Sequence, residues 1–468
     1  MATNYLDIIA IALYFVSLLA FGILVRRVKG FEDYSLGKRM IPSSMIFASL
    51  AATYIGPGFS VGLTGKGFST GYLFYLLPLA FVIQTLIVGK WLAHRLHGFS
   101  KCYTVGDIIG EKYGKLSHLL AGIVSVGLCI GFSAIMAKVG GVILSQAIGL
   151  ELVWSIAIIT GIGVIYTYTG GLKSVIATEA YQFSIFTIVL PMVVFFCIIQ
   201  PAFDFDVASQ KAIELTKNSF SSFSGIQIFG IAISFLLGET LVPPYTNRAL
   251  ASGSASEASK GFLAAGFFGI IWIGVVVGLG IVGASLLPAS TPEDEVFMKL
   301  VITYVPHGLI GIVLIALVAI VMSSQESVLN AGAVAFTRDI TLRFRSLTDN
   351  QSLLMSRIYT LVVGILAIFF ALYAPSIIDG LLIMYSIWAP AILLPLVLGL
   401  FIQNTREAAG YLSIIFGGGS SLIWRLGLGE PLDIPSIIVG ITAAGIGYII
   451  GHFTDIGYIL AILFKKRS

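Results

Sequence analysis

Two helix-breaking clusters, Gly56-Pro57-Gly58 and Val242-Pro243-Pro244, interrupt segments that are otherwise apolar and long enough to cross a bilayer. A continuous helix satisfies its own backbone groups in lipid. A break at that depth survives only inside protein or beside a water-filled cavity. The rest of the chain supports the membrane setting. Of its 468 residues 57% are hydrophobic and only 11% charged, against roughly a quarter charged in a soluble domain. The apolar runs are continuous, not alternating, which predicts an all-α polytopic protein instead of a β-barrel. No basic patch interleaved with aromatics points to nucleic acid. Cys102, Cys129 and Cys197 show neither disulfide nor metal-ligand spacing and read as small apolar fillers.

Thirteen spans are predicted. A leading helix covers 5–25. Two sets of five follow, at 45–66, 71–95, 116–147, 153–170 and 174–200, then at 224–248, 258–287, 306–340, 353–374 and 377–402. Two more lie at 407–426 and 433–453. The corresponding divisions are 1–44, 45–200, 201–223, 224–402 and 403–468, with 201–223 and the Thr291 to Lys299 stretch read as short outer loops. Assigned this way, 21 of the 27 basic residues fall in inside loops, Arg26, Arg27, Arg248 and Lys465 to Arg467 among them. That bias places the N-terminus outside and the C-terminus in the cytoplasm. An odd number of spans per set inverts the second set relative to the first, and both sets open with a broken member. Breaks at corresponding positions of inverted halves point to the binding site of a secondary transporter.

At the first break, Ala52-Thr53-Tyr54-Ile55-Gly56-Pro57-Gly58, helix ends leave carbonyls without partners. The carbonyls of Ala52 and Ile55 are therefore candidate ligands for a small hard cation. In Met322-Ser323-Ser324-Gln325-Glu326-Ser327, residues three and four apart share a helix face, so Ser323, Glu326, Ser327 and Asn330 form one polar stripe in an apolar span. A carboxylate such as Glu326 at that depth faces a cavity or a partner. Glu239, before the second break, is suited to a substrate amine, to Lys138 or to freed amides of the broken helix. Glu179 suits a cation relay or an ion pair with Lys173 or a loop arginine. Tyr54, Phe59, Phe81 and Tyr245 are aromatics whose faces attract organic cations. No phosphate loop, nucleophile elbow or metal-ligand cluster is present, so no enzyme constellation emerges.

The segments AATYIGPGFSVGLTGKGFSTG (51–71), YTYTGGLKSVIATEAYQF (166–183), LGETLVPPYTNRALAS (237–252) and VMSSQESVLNAGAVAFTRDI (321–340) resemble the sodium/solute symporter family. Its members have about thirteen spans and the 5+5 inverted-repeat fold of the bacterial leucine transporter. Within the family the likeness is greatest to choline-transporter-type members. The resemblance implies a sodium site from the carbonyls of Ala52, Ile55 and Ile320 and the hydroxyls of Ser323 and Ser324. Glu179 and Ser327 match positions used for a second cation or its exit. The choline-type cage is incomplete: Tyr54 stands at the first break and Phe81 keeps an aromatic, but Val242 replaces an aromatic at the second break. Tyr54, Gly56, Phe59, Phe81, Glu239, Tyr245 and Glu326 are the substrate-site candidates.

The implied activity is plasma-membrane symport by alternating access. The partners are Na+, the lipid bilayer and a small organic solute, an amine or zwitterion favoured, with no obligate protein partner. The alternatives are a carboxylate, which freed amides at Gly56 to Gly58 suit, or a sugar or pantothenate. Proton coupling through Glu179, Glu239 or Glu326, and a sodium-leak channel or solute receptor on the same scaffold, stand beside these.

Overall fold

The computed structural model describes residues 5–24, 28–373 and 377–453. Arg26, Arg27, Lys465, Lys466 and Arg467, which weighed in the inside bias, lie outside the described residues. Among the described residues eight helices are long and apolar enough to cross a membrane, and two bent pairs, Ser43–Tyr54 with Gly58–Thr70 and Phe205–Ser222 with Gly225–Leu237, qualify if each is one span.

α1 (Tyr5–Leu24) leads, and a short α2 (Phe31–Leu36) follows. The first broken segment is α3 (Ser43–Tyr54) and α4 (Gly58–Thr70), bent by 61°. Three long helices follow: α5 (Leu73–Leu96), α6 (Val105–Ile148) and α7 (Leu152–Ile198). α7 contains both segments expected at 153–170 and 174–200, divided where Gly171 adopts a left-handed φ of 58°. A side chain is strained in that region, and Gly is not.

α8 (Phe205–Ser222) precedes the second broken segment, α9 (Gly225–Leu237) and α10 (Pro243–Ala251). Then come α11 (Ala255–Leu286), α12 (Val296–Tyr304), α13 (His307–Ala335), α14 (Asp349–Ala371), α15 (Ile377–Phe401), α16 (Glu407–Leu422) and α17 (Ser436–Phe453).

Three expectations need correction. The stretches read as outer loops are partly helical: α8 is capped by Asp204, whose carboxylate accepts from the Asp206 and Val207 amides, and α12 follows Glu293. Neither qualifies as a span by itself. The second break lies at Gly238 to Val242, upstream of the prolines. Pro243 is instead the first residue of α10, where the missing N–H is one that no helix would have used. Arg248, placed in an inside loop by its charge, is fully buried on α10.

The two broken segments meet in the middle of the molecule, against α7 and α13. From Ile320 to Ala335 every residue of α13 is buried, so its polar stripe faces protein on all sides. α15 leans on both breaks. A Cβ on Gly58 would fall 2.0 Å from Leu381, and one on Gly238 would fall 2.3 Å from Tyr385. These glycines allow the close approach.

Candidate ion and solute site

The freed backbone groups at the breaks converge on one buried set of oxygens, a candidate cation site. At the first break Pro57 has no N–H to offer the Thr53 carbonyl. The Gly56 amide turns back to that carbonyl at 3.3 Å, which leaves Ala52 without its own i+4 donor. Other carbonyls near the breaks are capped: Ile55 accepts from Ser60 Oγ at 2.6 Å, Leu241 from Thr246 Oγ1 at 2.7 Å and Thr240 from Trp388 Nε1 at 2.9 Å.

Ala52 and Thr53 receive serine hydroxyls of α13. Ser323 Oγ lies 3.1 Å from the Ala52 carbonyl and 3.0 Å from that of Ile320. Ser324 Oγ lies 3.2 Å from Thr53 O and 3.4 Å from Ile320 O. All five residues are buried.

Each hydroxyl thus has two carbonyls in reach and one proton to donate. A hard cation with oxygen bonds of about 2.4 Å has octahedral edges of about 3.4 Å, close to these oxygen separations. The oxygen set therefore fits a small monovalent cation. Four of the five residues expected at this site come together: Ala52, Ile320, Ser323 and Ser324. The Ile55 carbonyl is directed to Ser60, and Thr53 supplies the carbonyl that Ser324 reaches. Gly56 sits against the same hydroxyl, since a Cβ there would lie 2.7 Å from Ser324 Oγ.

The carboxylates separate into three settings. Glu179 on α7 is bound by Arg248 of α10 at 2.8 Å, with both side chains fully buried. It also accepts from Ser49, Ser327 and Thr53. Glu326 turns the other way, toward α7, and accepts from Thr178 Oγ1 at 2.9 Å and Gln182 Nε2 at 3.2 Å. It does not join the aromatic group.

Glu239 lies in the turn of the second break and accepts from Tyr245 OH and Tyr385 OH, each at 2.7 Å. Lys138, one of its expected partners, lines a small cavity with Asp294 instead. Among the described residues Glu239 has no hydrogen bond from an ammonium or guanidinium group.

Around Glu239 the expected aromatics do assemble. Tyr54 packs edge-on to Tyr245 and Phe81, with ring centroids 4.4 and 4.9 Å apart. Phe59 lies 4.7 Å from Phe81 and 5.7 Å from Phe235, and Phe235 reaches Tyr385 at 6.3 Å. Phe235 and Tyr385 went unnoticed in the sequence because they sit in uniformly apolar helices. The side of the site nearer α4 is covered by the α12 approach, where Lys66 pairs with Glu293 at 2.8 Å and Ser69 donates to the same carboxylate at 2.6 Å. Burial, with Glu293 beside it, raises the Asp294 carboxyl above its usual range.

Two broken helices meeting at a buried cation-sized oxygen set and a ring-lined carboxylate have the arrangement of a membrane transporter. The comparisons specify the class. The family model for the sodium:solute symporter family matches residues 34–417, and the chain belongs to that family. It is a sodium-coupled solute symporter and not an enzyme.

A sodium/glucose cotransporter of Vibrio parahaemolyticus is 26% identical, over 92% of this chain and 87% of its own. The human sodium/myo-inositol cotransporter 2 is 23% identical, over 88% and 68%. Among solved structures, a substrate-bound, outward-open Na+-coupled sialic acid symporter superposes with a TM-score of 0.85 at 18% identity, covering 97% of this chain and 99% of that one. Mhp1, a nucleobase-cation-symport-1 family transporter, does so at 0.58 and 10% identity, over 90% and 93%. These likenesses establish the leucine-transporter fold.

Proposed function

We propose that sodium binds between the first break and α13, on the carbonyls of Ala52, Thr53 and Ile320 and the hydroxyls of Ser323 and Ser324, with Ile55 flanking it. The transported solute is an organic amine or zwitterion held beside both breaks. The observation that carries the solute assignment is Glu239, a buried carboxylate whose partners are two tyrosine hydroxyls amid edge-packed rings. A buried carboxylate without a countercharge is costly. A solute ammonium supplies that charge, and the rings of Tyr54, Phe81 and Tyr245 add cation–π attraction.

Sodium joins α3 to α13 and so favours the conformation in which both hold their present register. Equal affinity for both conformations would shift nothing. Rocking of the broken segments against α7 and α13 then releases ion and solute on the side where sodium is scarce. The N-terminus faces outside and the C-terminus the cytoplasm, in the plasma membrane.

A second reading is a polyol or sugar solute. The names of the glucose and myo-inositol relatives favour it, and Glu239, Tyr245 and Tyr385 are suited to hydroxyl groups. A thermal-shift panel separates the two, because a ligand of the folded state raises apparent stability. Choline, betaine and amino acids on one side, glucose and inositols on the other, are compared in sodium and in potassium. Sodium-dependent stabilisation by a cationic compound, followed by its counterflow in proteoliposomes, is the expected result. Stabilisation by polyols alone overturns the amine assignment.

A further inference from the structure

Arg248 is the one arginine on α10, and it enters the protein interior immediately after the second break. Its Nη2 donates to both Glu179 oxygens, at 2.8 and 3.0 Å, and to Ser327 Oγ. Nε donates to Ser49 Oγ at 3.0 Å and Nη1 to the Pro244 carbonyl at 3.0 Å. Ser49 and Ser327 themselves donate to Glu179. The carboxylate is thereby fully engaged, and Ser327 is shared between it and the guanidinium.

A second sodium resting on Glu179 and Ser327 would have to occupy the position of Arg248 Nη2. A guanidinium keeps its charge at any physiological pH, so it cannot yield that position by losing a proton. The residues of the expected second site therefore do not fit a second metal ion.

We infer that Arg248 is a built-in cation in place of a second sodium, so that this chain carries one sodium per transport cycle. The inference rests on the sodium-coupled reading above. The same pair fastens α3, through Ser49, and α10, through Arg248, to Glu179 of α7 and Ser327 of α13. One half of each broken segment is thus held at a single charged point. Arg248 is in this sense a positioning residue: it touches none of the sodium-site oxygens, and the pair meets that site only through the Thr53 hydroxyl on Glu179.

Equilibrium binding of radioactive 22Na+ to the purified full-length protein tests the inference without knowledge of the solute. One sodium per chain with a hyperbolic isotherm is expected, and two per chain overturns the inference. A neutral replacement of the pair, Glu179→Gln with Arg248→Met, keeps the site free of unpaired charge. It is expected to retain one sodium per chain, with affinity within about tenfold of the parent because Thr53 links the pair to the site. A folded double variant that no longer binds sodium overturns the inference, because Glu179 would then be a sodium ligand. Absence of any saturable sodium binding by the parent protein would instead defeat the sodium reading itself.

Discussion

At the residue scale, function rests on which polar groups lack a committed partner. Ser323 and Ser324 each face two carbonyls with a single proton, whereas the Ile55 and Thr240 carbonyls are already capped. Replacing both serines by alanine removes two cation ligands. Interactions with charged groups contribute about 1.5–3 kcal/mol each, so half-saturation by sodium should rise by roughly a hundredfold or more. A sodium titration of thermal stability reads this directly.

Arg248→Met alone leaves Glu179 buried and unpaired and should cost roughly 3–5 kcal/mol, while the neutral double replacement costs much less. Melting temperatures of the two variants check the difference. Phe81 rested on the family resemblance. Ser323, Ser324 and Glu239 were legible because each departs from its apolar surroundings, and Ala52, Tyr54, Phe59 and Tyr245 because they lie at or near Gly and Pro. Arg248 was not, since a cation in a polar stretch reads as a loop residue, and only its pairing with Glu179 allows it inside. Thr53 was equally hidden, because which carbonyl of the break meets Ser324 depends on how the Gly56 amide turns back.

At the element scale, the breaks are products of local chemistry. Pro57 removes the donor that Thr53 would use, and the Gly56 turn frees Ala52. Pro57→Ala restores an N–H at that position, lets the first segment wind on and should weaken sodium binding by about tenfold, at a cost near one charge-assisted hydrogen bond. Isotherms of sodium binding for the variant and parent make the comparison. The second break shows why sequence placed its start four residues too far along. Prolines mark the neighbourhood of an interruption, but they are well tolerated in a first helical turn. The actual turn is set by Leu241, at a φ of 54°, and by the Trp388 and Thr246 donors that cap it. α8 and α12 were missed because amphipathic helices against the outer ends of α4 and α11 lack the long apolar run that marks a span.

At the scale of the whole molecule, α15 rests on both breaks through Gly58 and Gly238. We expect movement of α15 to accompany access to the ring-lined site. Gly58→Leu places a side chain where Leu381 now sits and should hold α15 away from the first break. Solute counterflow should fall severalfold or more, while 22Na+ still binds, because the serine hydroxyls lie on the opposite helix. Counterflow and ion binding measured on the same preparation separate those effects. The membrane class, the helical architecture and the pairing of two broken segments could be read from hydropathy, basic-residue bias and Gly-Pro clusters. The partition of the carboxylates could not, since Glu179, Glu239 and Glu326 differ only in what the fold brings against them.

The sodium site between the first break and α13 is tested most directly by equilibrium 22Na+ binding to the parent protein and to the Ser323→Ala, Ser324→Ala variant. Saturable binding that potassium does not displace, weakened at least roughly a hundredfold in the variant, is expected. Equal sodium affinity in the two proteins would contradict the assignment.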